Sequence, residues 1–207
     1  GGGSASQINE VVSLNNGADT VTLADGRVYL KGGMYETDLG VYPDAAPTQI
    51  YTGTSFSTGP QDPAPTSITW DGTYFWVLGD TNNRAYKYTA AGVYTGTNFS
   101  TNAQEGNPQG ITWDGTYFWV IGHATDAVYK YNSAGVYQSV SFSVASEDSI
   151  PRGITWDGTY FWVIGSSTNA VYKYNSSGVY QSVSFSVASL PSSPMDITWD
   201  GTYFWVI

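Results

Sequence analysis

The chain has 207 residues, 41% hydrophobic and 12% charged, with 17 acidic side chains against 7 basic ones and a formal net charge of −10. That balance excludes attraction to nucleic-acid phosphates or to an anionic membrane surface and suits a neutral or cationic partner. The absence of cysteine and the single histidine, His123, exclude disulfides, thiolate metal sites and a multi-histidine zinc site, and no run approaches the roughly 18 to 20 apolar residues of a membrane-spanning helix.

Gly1-Gly2-Gly3-Ser4-Ala5-Ser6 reads as a flexible lead without the layout of a signal peptide. From Val11 to Lys31, β-prone pieces alternate with turn signals: Val11 to Leu14, Asn15-Asn16-Gly17, Thr20 to Leu23, Asp25-Gly26, Arg27 to Leu30. This predicts a small β-meander. Because it shares no wording with the rest of the chain, residues 1–46 are expected to be a separate attachment or oligomerisation module and residues 47–207 a repeat domain.

The repeat is explicit. Ile68 to Val77, reading Ile-Thr-Trp-Asp-Gly-Thr-Tyr-Phe-Trp-Val, returns letter for letter at Ile111, Ile154 and Ile197, each time after 43 residues, and holds all eight tryptophans. A period of this length marks an array in which one unit cannot bury its own apolar faces. Four strands are legible in one unit: Gly153 to Trp156, then Asp157-Gly158 as a hairpin signal, Tyr160 to Ile164, Ala170 to Tyr174, and Val179 to Val187 beyond the turn at Gly178. The second strand is apolar on both faces, while the fourth alternates. The pattern predicts an all-β fold, a β-propeller of four-stranded antiparallel blades. Ile50 to Phe56 reads as an isolated fourth strand, and Ile197 to Ile207 supplies only a first and a second. The expectation is therefore a longer native chain or assembly with other copies.

Two resemblances stand beside these patterns. The words Asp25-Gly26-Arg27-Val28-Tyr29-Leu30-Lys31-Gly32-Gly33, Glu36-Thr37-Asp38 and Tyr42-Pro43-Asp44-Ala45 resemble a segment of phage tail-fibre and related virion proteins ahead of a repeat domain. The order Pro-x-Gly-Ile-x-x-Asp, an aromatic second strand, Tyr-Lys-Tyr-Asn and Gly-Val-Tyr resembles NHL-type propeller repeats, best at Asn107 to Ile111 and Ile150 to Ile154. A WD40 assignment fits less well, since Gly122-His123 does not recur.

The repeats 111–153 and 154–196 differ at nine of 43 positions, eight of them in the loop joining second to third strand or the one joining blade to blade. In an antiparallel meander these loops share one rim, which makes that rim the candidate working face. Its polar residues, Asp80, Asn83, Arg84, His123, Asp126, Glu147, Asp148 and Arg152, are the candidate ligand-binding set. Asp71, Asp114, Asp157 and Asp200 precede hairpin glycines and read as turn residues, and the tryptophans read as core. No nucleophile elbow, phosphate loop, metal cluster or catalytic constellation is visible, so no metal, cofactor or catalytic residue is expected. The chain is expected not to be an enzyme but an extracellular or virion fibre protein. Its propeller would attach to a host surface glycan or protein, next to other virion or appendage subunits and as a homo-oligomer. The alternatives are a propeller enzyme of polysaccharide lyase or hydrolase type and a structural spacer.

Overall fold

In a computed structural model, the structure describes residues 11–14, 20–23 and 28–30 by their backbone, and residues 55–190 and 193–207 in full. Two compact units are present, Gly1–Gly53 and Thr54–Ile207. In the first, β1 (Val11–Leu14), β2 (Thr20–Leu23) and β3 (Val28–Leu30) form an antiparallel sheet in chain order, the meander expected from the turn signals. The segment resembling tail-fibre proteins beyond Leu30, most of Ile50 to Phe56 and the 46/47 boundary lie outside the described residues.

The second unit is built of repeated four-stranded antiparallel blades, and no helix occurs among the described residues. Blade one comprises β4 (Pro65–Trp70), β5 (Phe75–Gly79), β6 (Arg84–Tyr88) and β7 (Tyr94–Ser100). Blade two comprises β8 (Pro108–Trp113), β9 (Phe118–Gly122), β10 (Ala127–Tyr131) and β11 (Tyr137–Ser143). Blade three comprises β12 (Pro151–Trp156), β13 (Tyr160–Gly165), β14 (Ala170–Asn175) and β15 (Tyr180–Ser186), and β16 (Ile197–Trp199) with β17 (Phe204–Val206) forms a two-stranded fourth sheet. Each sheet is a meander in sequence order. The fold is the β-propeller that the period predicts.

The hairpin between first and second strand differs by one residue from its sequence signal. Trp156 pairs with Phe161, and the Asp157 amide donates to the Tyr160 carbonyl at 3.1 Å. The two central residues are thus Gly158, at φ 96°, and Thr159, rather than Asp157-Gly158. Asp157 is freed to act through its side chain. Its Oδ1 accepts the amides of Thr159 and Tyr160 at 2.8 and 2.7 Å, and its Oδ2 accepts the indole N–H of Trp162 at 2.7 Å. Asp71 and Asp114 repeat this with Trp76 and Trp119. The turn reading of these aspartates therefore holds, and each carboxylate in addition fixes a core indole.

That indole joins the blades. Trp119 lies 6.1 Å from Phe142 of its own fourth strand and 4.7 Å from Phe161 of the next blade, centroid to centroid. Trp76 meets Phe99 and Phe118, and Trp162 meets Phe185 and Phe204, in the same way. Trp76 and Trp119 are only 2% and 3% exposed. Aromatic pairs at such separations add about 0.5–1.5 kcal/mol each beyond the area they bury. Phe56 packs on Phe75 and Tyr88 as Phe99 packs on Phe118 and Tyr131, so its ring takes the place against blade one that the fourth-strand phenylalanine takes against the next blade. On the same face, Lys87, Lys130 and Lys173 pair across the ladder with Trp76, Trp119 and Trp162 and sit 3.7, 3.7 and 3.6 Å above the rings of Tyr74, Tyr117 and Tyr160, an attraction of cation to ring face.

Replacing Asp114 by Ala strips two backbone amides and the Trp119 indole of a charged acceptor. We expect a loss of about 2–4 kcal/mol in urea unfolding, against about 1–2 kcal/mol for Asp114→Asn, which keeps one acceptor oxygen. Equal, negligible effects of both would show that the carboxylate is not what holds the indole.

Candidate functional site

The two variable loops do meet at one rim. The Asp80, His123 and Ser166 amides donate to Ala64, Asn107 and Ile150 carbonyls of the inter-blade loops, and the Thr101, Val144 and Val187 amides donate to Asn83, Asp126 and Asn169. The structure thereby gathers the sequence-derived candidates on one edge of each blade, but most of their side chains are engaged within the fold.

Asp148 is 2% exposed. It accepts the Ile150 and Thr168 amides and the Thr168 hydroxyl at 2.8, 3.0 and 2.6 Å. Burial works against its charged form, yet hydrogen bonds from Thr168, Ser167 and the Ile150 amide hold the carboxyl below its usual range. Asp62 and Glu105 stand 43 residues apart at the same register and make the same clamp, Glu105 with the Asn107 and Ala124 amides and the Thr125 hydroxyl. Asp148 is thus a loop brace, and this is where its placement departs from a ligand-facing one. Glu147 accepts the Tyr174 hydroxyl at 3.0 Å, and burial pushes that hydroxyl above its usual range. Arg84 donates to Asn98, Arg152 to Ser166 and Gln109, and His123 Nδ1 lies 3.3 Å from Asp126 Oδ1. Asn83 and Asp126 take positive φ, 51° and 50°, which Asn and Asp tolerate. Asp80 is half-buried with no side-chain hydrogen bond among the described residues.

Two concave features lie at the axis instead. The first strands β4, β8, β12 and β16 stand side by side around it. A cavity of about 330 Å³ is lined by Thr69, Thr112, Thr155 and Thr198 and by Trp70, Trp113, Trp156 and Trp199. Each indole rests against the Phe opposite it across the hairpin, 4.5 to 4.7 Å away. These four tryptophans are half-buried or, at 42% for Trp70, exposed. Their indole N–H groups have no acceptor among the described residues. The eight tryptophans therefore divide: those of β5, β9 and β13 are core, as the sequence suggests, those of the first strands are not, and Trp205 of β17 is 40% exposed although its indole is held by Asp200.

A second cavity of about 230 Å³ shares the same threonines and Ile68 and adds Ser67, Ile111, Asp196, Ile197, Trp205 and Ile207. Ser67, Gly110, Gly153 and Asp196 occupy one register, 43 residues apart, where the strands come closest. A Cβ on Gly110 would fall 2.9 Å from Gly153 Cα, and one on Gly153 would collide with Asp196. Glycine is needed there for that approach. Asp196 spans to blade one, its Oδ2 accepting the Ser67 hydroxyl at 2.8 Å and its Oδ1 the Ile197 amide at 2.8 Å. Burial pushes its carboxyl up to about 7, against the lowering by those two hydrogen bonds. The sequence alone counts the Gly153/Asp196 difference among the loop variations and does not single it out. The available signal is a carboxylate where the sister copies carry Ser or Gly.

No protein-family model matches the sequence, and no curated protein matches it. Solved structures do resemble the fold. Virginiamycin B lyase from Staphylococcus aureus superposes with a TM-score of 0.51 at 20% identity, over 93% of this chain and 56% of that one. A catalytically inactive variant of it, with quinupristin, gives 0.52 at 18%, over 96% and 61%. Glutaminyl cyclase from Myxococcus xanthus gives 0.52 at 9%, over 64% and 61%. The chain is thus similar to β-propeller proteins, and it spans about 56 to 61% of the length of the two lyase chains. The expectation that the chain is not an enzyme is corrected by this likeness, since the same propeller carries a lyase. The physical reason is that a propeller assembles its axial site from one or two residues per blade, so a missing local motif excludes no chemistry.

Asp196 gives a pH test. Its folded pKa of about 7 stands above the ordinary 3.8. The unfolded chain therefore loses this proton first, and stability from this group falls as pH rises from about 4 to about 7. Against Asp196→Asn, wild-type unfolding free energy should drop by on the order of 2 to 4 kcal/mol across that window. Parallel pH curves for the two proteins would contradict the assignment.

Proposed function

We propose that the repeat domain recognises a carbohydrate at its axis. The observation that carries this is the ring of four accessible indoles, each with an unpaired N–H, alternating with four threonine hydroxyls around one cavity. A sugar ring has an apolar face that lies well on an aromatic one and hydroxyls that must each find a partner, and this lining offers both. The net charge of −10 suits a neutral or cationic ligand rather than an anionic one.

The wording ahead of the repeats supports placing the domain on a virion or other extracellular fibre, where repeated copies would raise a weak single-site affinity through effective concentration. A second reading, turnover of the bound sugar, is favoured by Asp196: a carboxyl near 7 at the wall of the adjoining cavity can both give and accept a proton at neutral pH. The likeness in fold to a lyase agrees with it.

Incubating the immobilised protein with host envelope polysaccharide separates these. Retention without new reducing ends supports binding, and new ends support turnover. Thr112→Val and Trp113→Ala should each weaken retention about tenfold or more, while Arg84→Ala and Arg152→Ala leave it within about twofold. Retention that depends on the arginines and ignores the axis would overturn the reading.

A further inference from the structure

Among the described residues, Asp196 is the only charged side chain lining either axial cavity. The fold does not require it, because Ser67, Gly110 and Gly153 fill the same register in the other copies. Each carboxylate oxygen accepts one hydrogen bond within the chain, whereas an ionised carboxylate offers about four acceptor positions. The cavity that Asp196 lines is otherwise walled by Ile68, Ile111, Ile197 and Trp205 and by Thr112 and Thr155. Left unpaired among such groups, a negative charge is costly, and a cation entering the cavity removes that cost. None of the described basic side chains does so. Lys87, Lys130 and Lys173 are held over tyrosine rings, and Arg84 and Arg152 are hydrogen-bonded to Asn98 and to Ser166 and Gln109.

We infer that the axial site is built for a sugar bearing a primary amine, with the ammonium paired to Asp196 and the ring lying among the threonines and first-strand indoles. This rests on the carbohydrate reading above and names the sugar class. The ammonium carries three donors: one or two go to the Asp196 carboxylate, and Ser67, Thr112 or Thr155 can accept another. An N-acetylated sugar has a neutral amide at that position and forgoes the charge pairing, which is the larger share of such an interaction. The cavity of about 230 Å³ that Asp196 lines accommodates one such residue, and the threonines it shares with the larger cavity lead from it to the first-strand indoles.

The test is a saturation-transfer NMR titration of the whole chain at pH 7 with glucosamine, N-acetylglucosamine and glucose, repeated on Asp196→Asn and Asp196→Gly. The glycine variant copies what Gly110 and Gly153 already supply, and thermal melts report whether both variants fold. Glucosamine should half-saturate at a concentration about tenfold below the other two, and that preference should vanish in both variants. Equal binding of the three sugars, or a preference that survives loss of the carboxylate, overturns the amine assignment while leaving the carbohydrate reading in place. Absence of binding by any of the three to the folded wild-type chain overturns both.

Discussion

The architecture depends on one indole per blade, held at its N–H by a carboxylate and on its faces by two phenylalanines. Asp114, Trp119, Phe142 and Phe161 form one such unit, and its sisters lie 43 residues either side. The carboxylate fixes the indole relative to its own hairpin. The rings then fix the next blade relative to the indole. Because Phe142 comes from the blade's own fourth strand and Phe161 from the next blade's second, the angle between blades is set by aromatic packing rather than by backbone pairing. Among the described residues, no ladder hydrogen bonds join one sheet to the next. A repeat that cannot bury this indole alone must find a neighbour, which is why the sequence copies the decapeptide without change.

The same constraint creates the axis. Packing neighbouring blades this closely brings their first strands together where Gly110 and Gly153 allow it, and splays them where the tryptophans begin. The first-strand indoles cannot be clamped as the others are, since the aspartate of their own turn is already occupied by the second-strand indole. They are left with one face on a phenylalanine and a free N–H. Polar groups at the variable rim have the opposite fate: Asp62, Glu105 and Asp148 are drawn inward under Gly79, Gly122 and Gly165 to brace the loops.

Much of this is legible in the sequence. The period, the strand order, the propeller fold, the meander and the shared rim of the variable loops follow from hydrophobic alternation and turn residues. The turn offset is not, because Asp-Gly marks a hairpin without saying which residue is central, and here the Asp side chain replaces a backbone bond. The division of the tryptophans is not, because both lie in one decapeptide and differ only in which strand neighbours them in space. Asp148 looks like a rim ligand, although the recurrence of a carboxylate at 62, 105 and 148 already points to a structural role. Asp196 is hidden for a simpler reason. A site formed by one residue from each of several blades leaves no spacing shorter than the repeat itself.

The most direct measurement is a two-dimensional NMR record of the eight tryptophan indole N–H signals during titration with a carbohydrate ligand. The signals of Trp70, Trp113, Trp156 and Trp199 should exchange rapidly with solvent before ligand is added, and should move when it is. Those of Trp76, Trp119 and Trp162, held by their aspartates, should be protected and stay in place. Movement confined to the backbone amides of Arg84, His123 and Arg152, with all eight indoles unchanged, would contradict recognition at the axis.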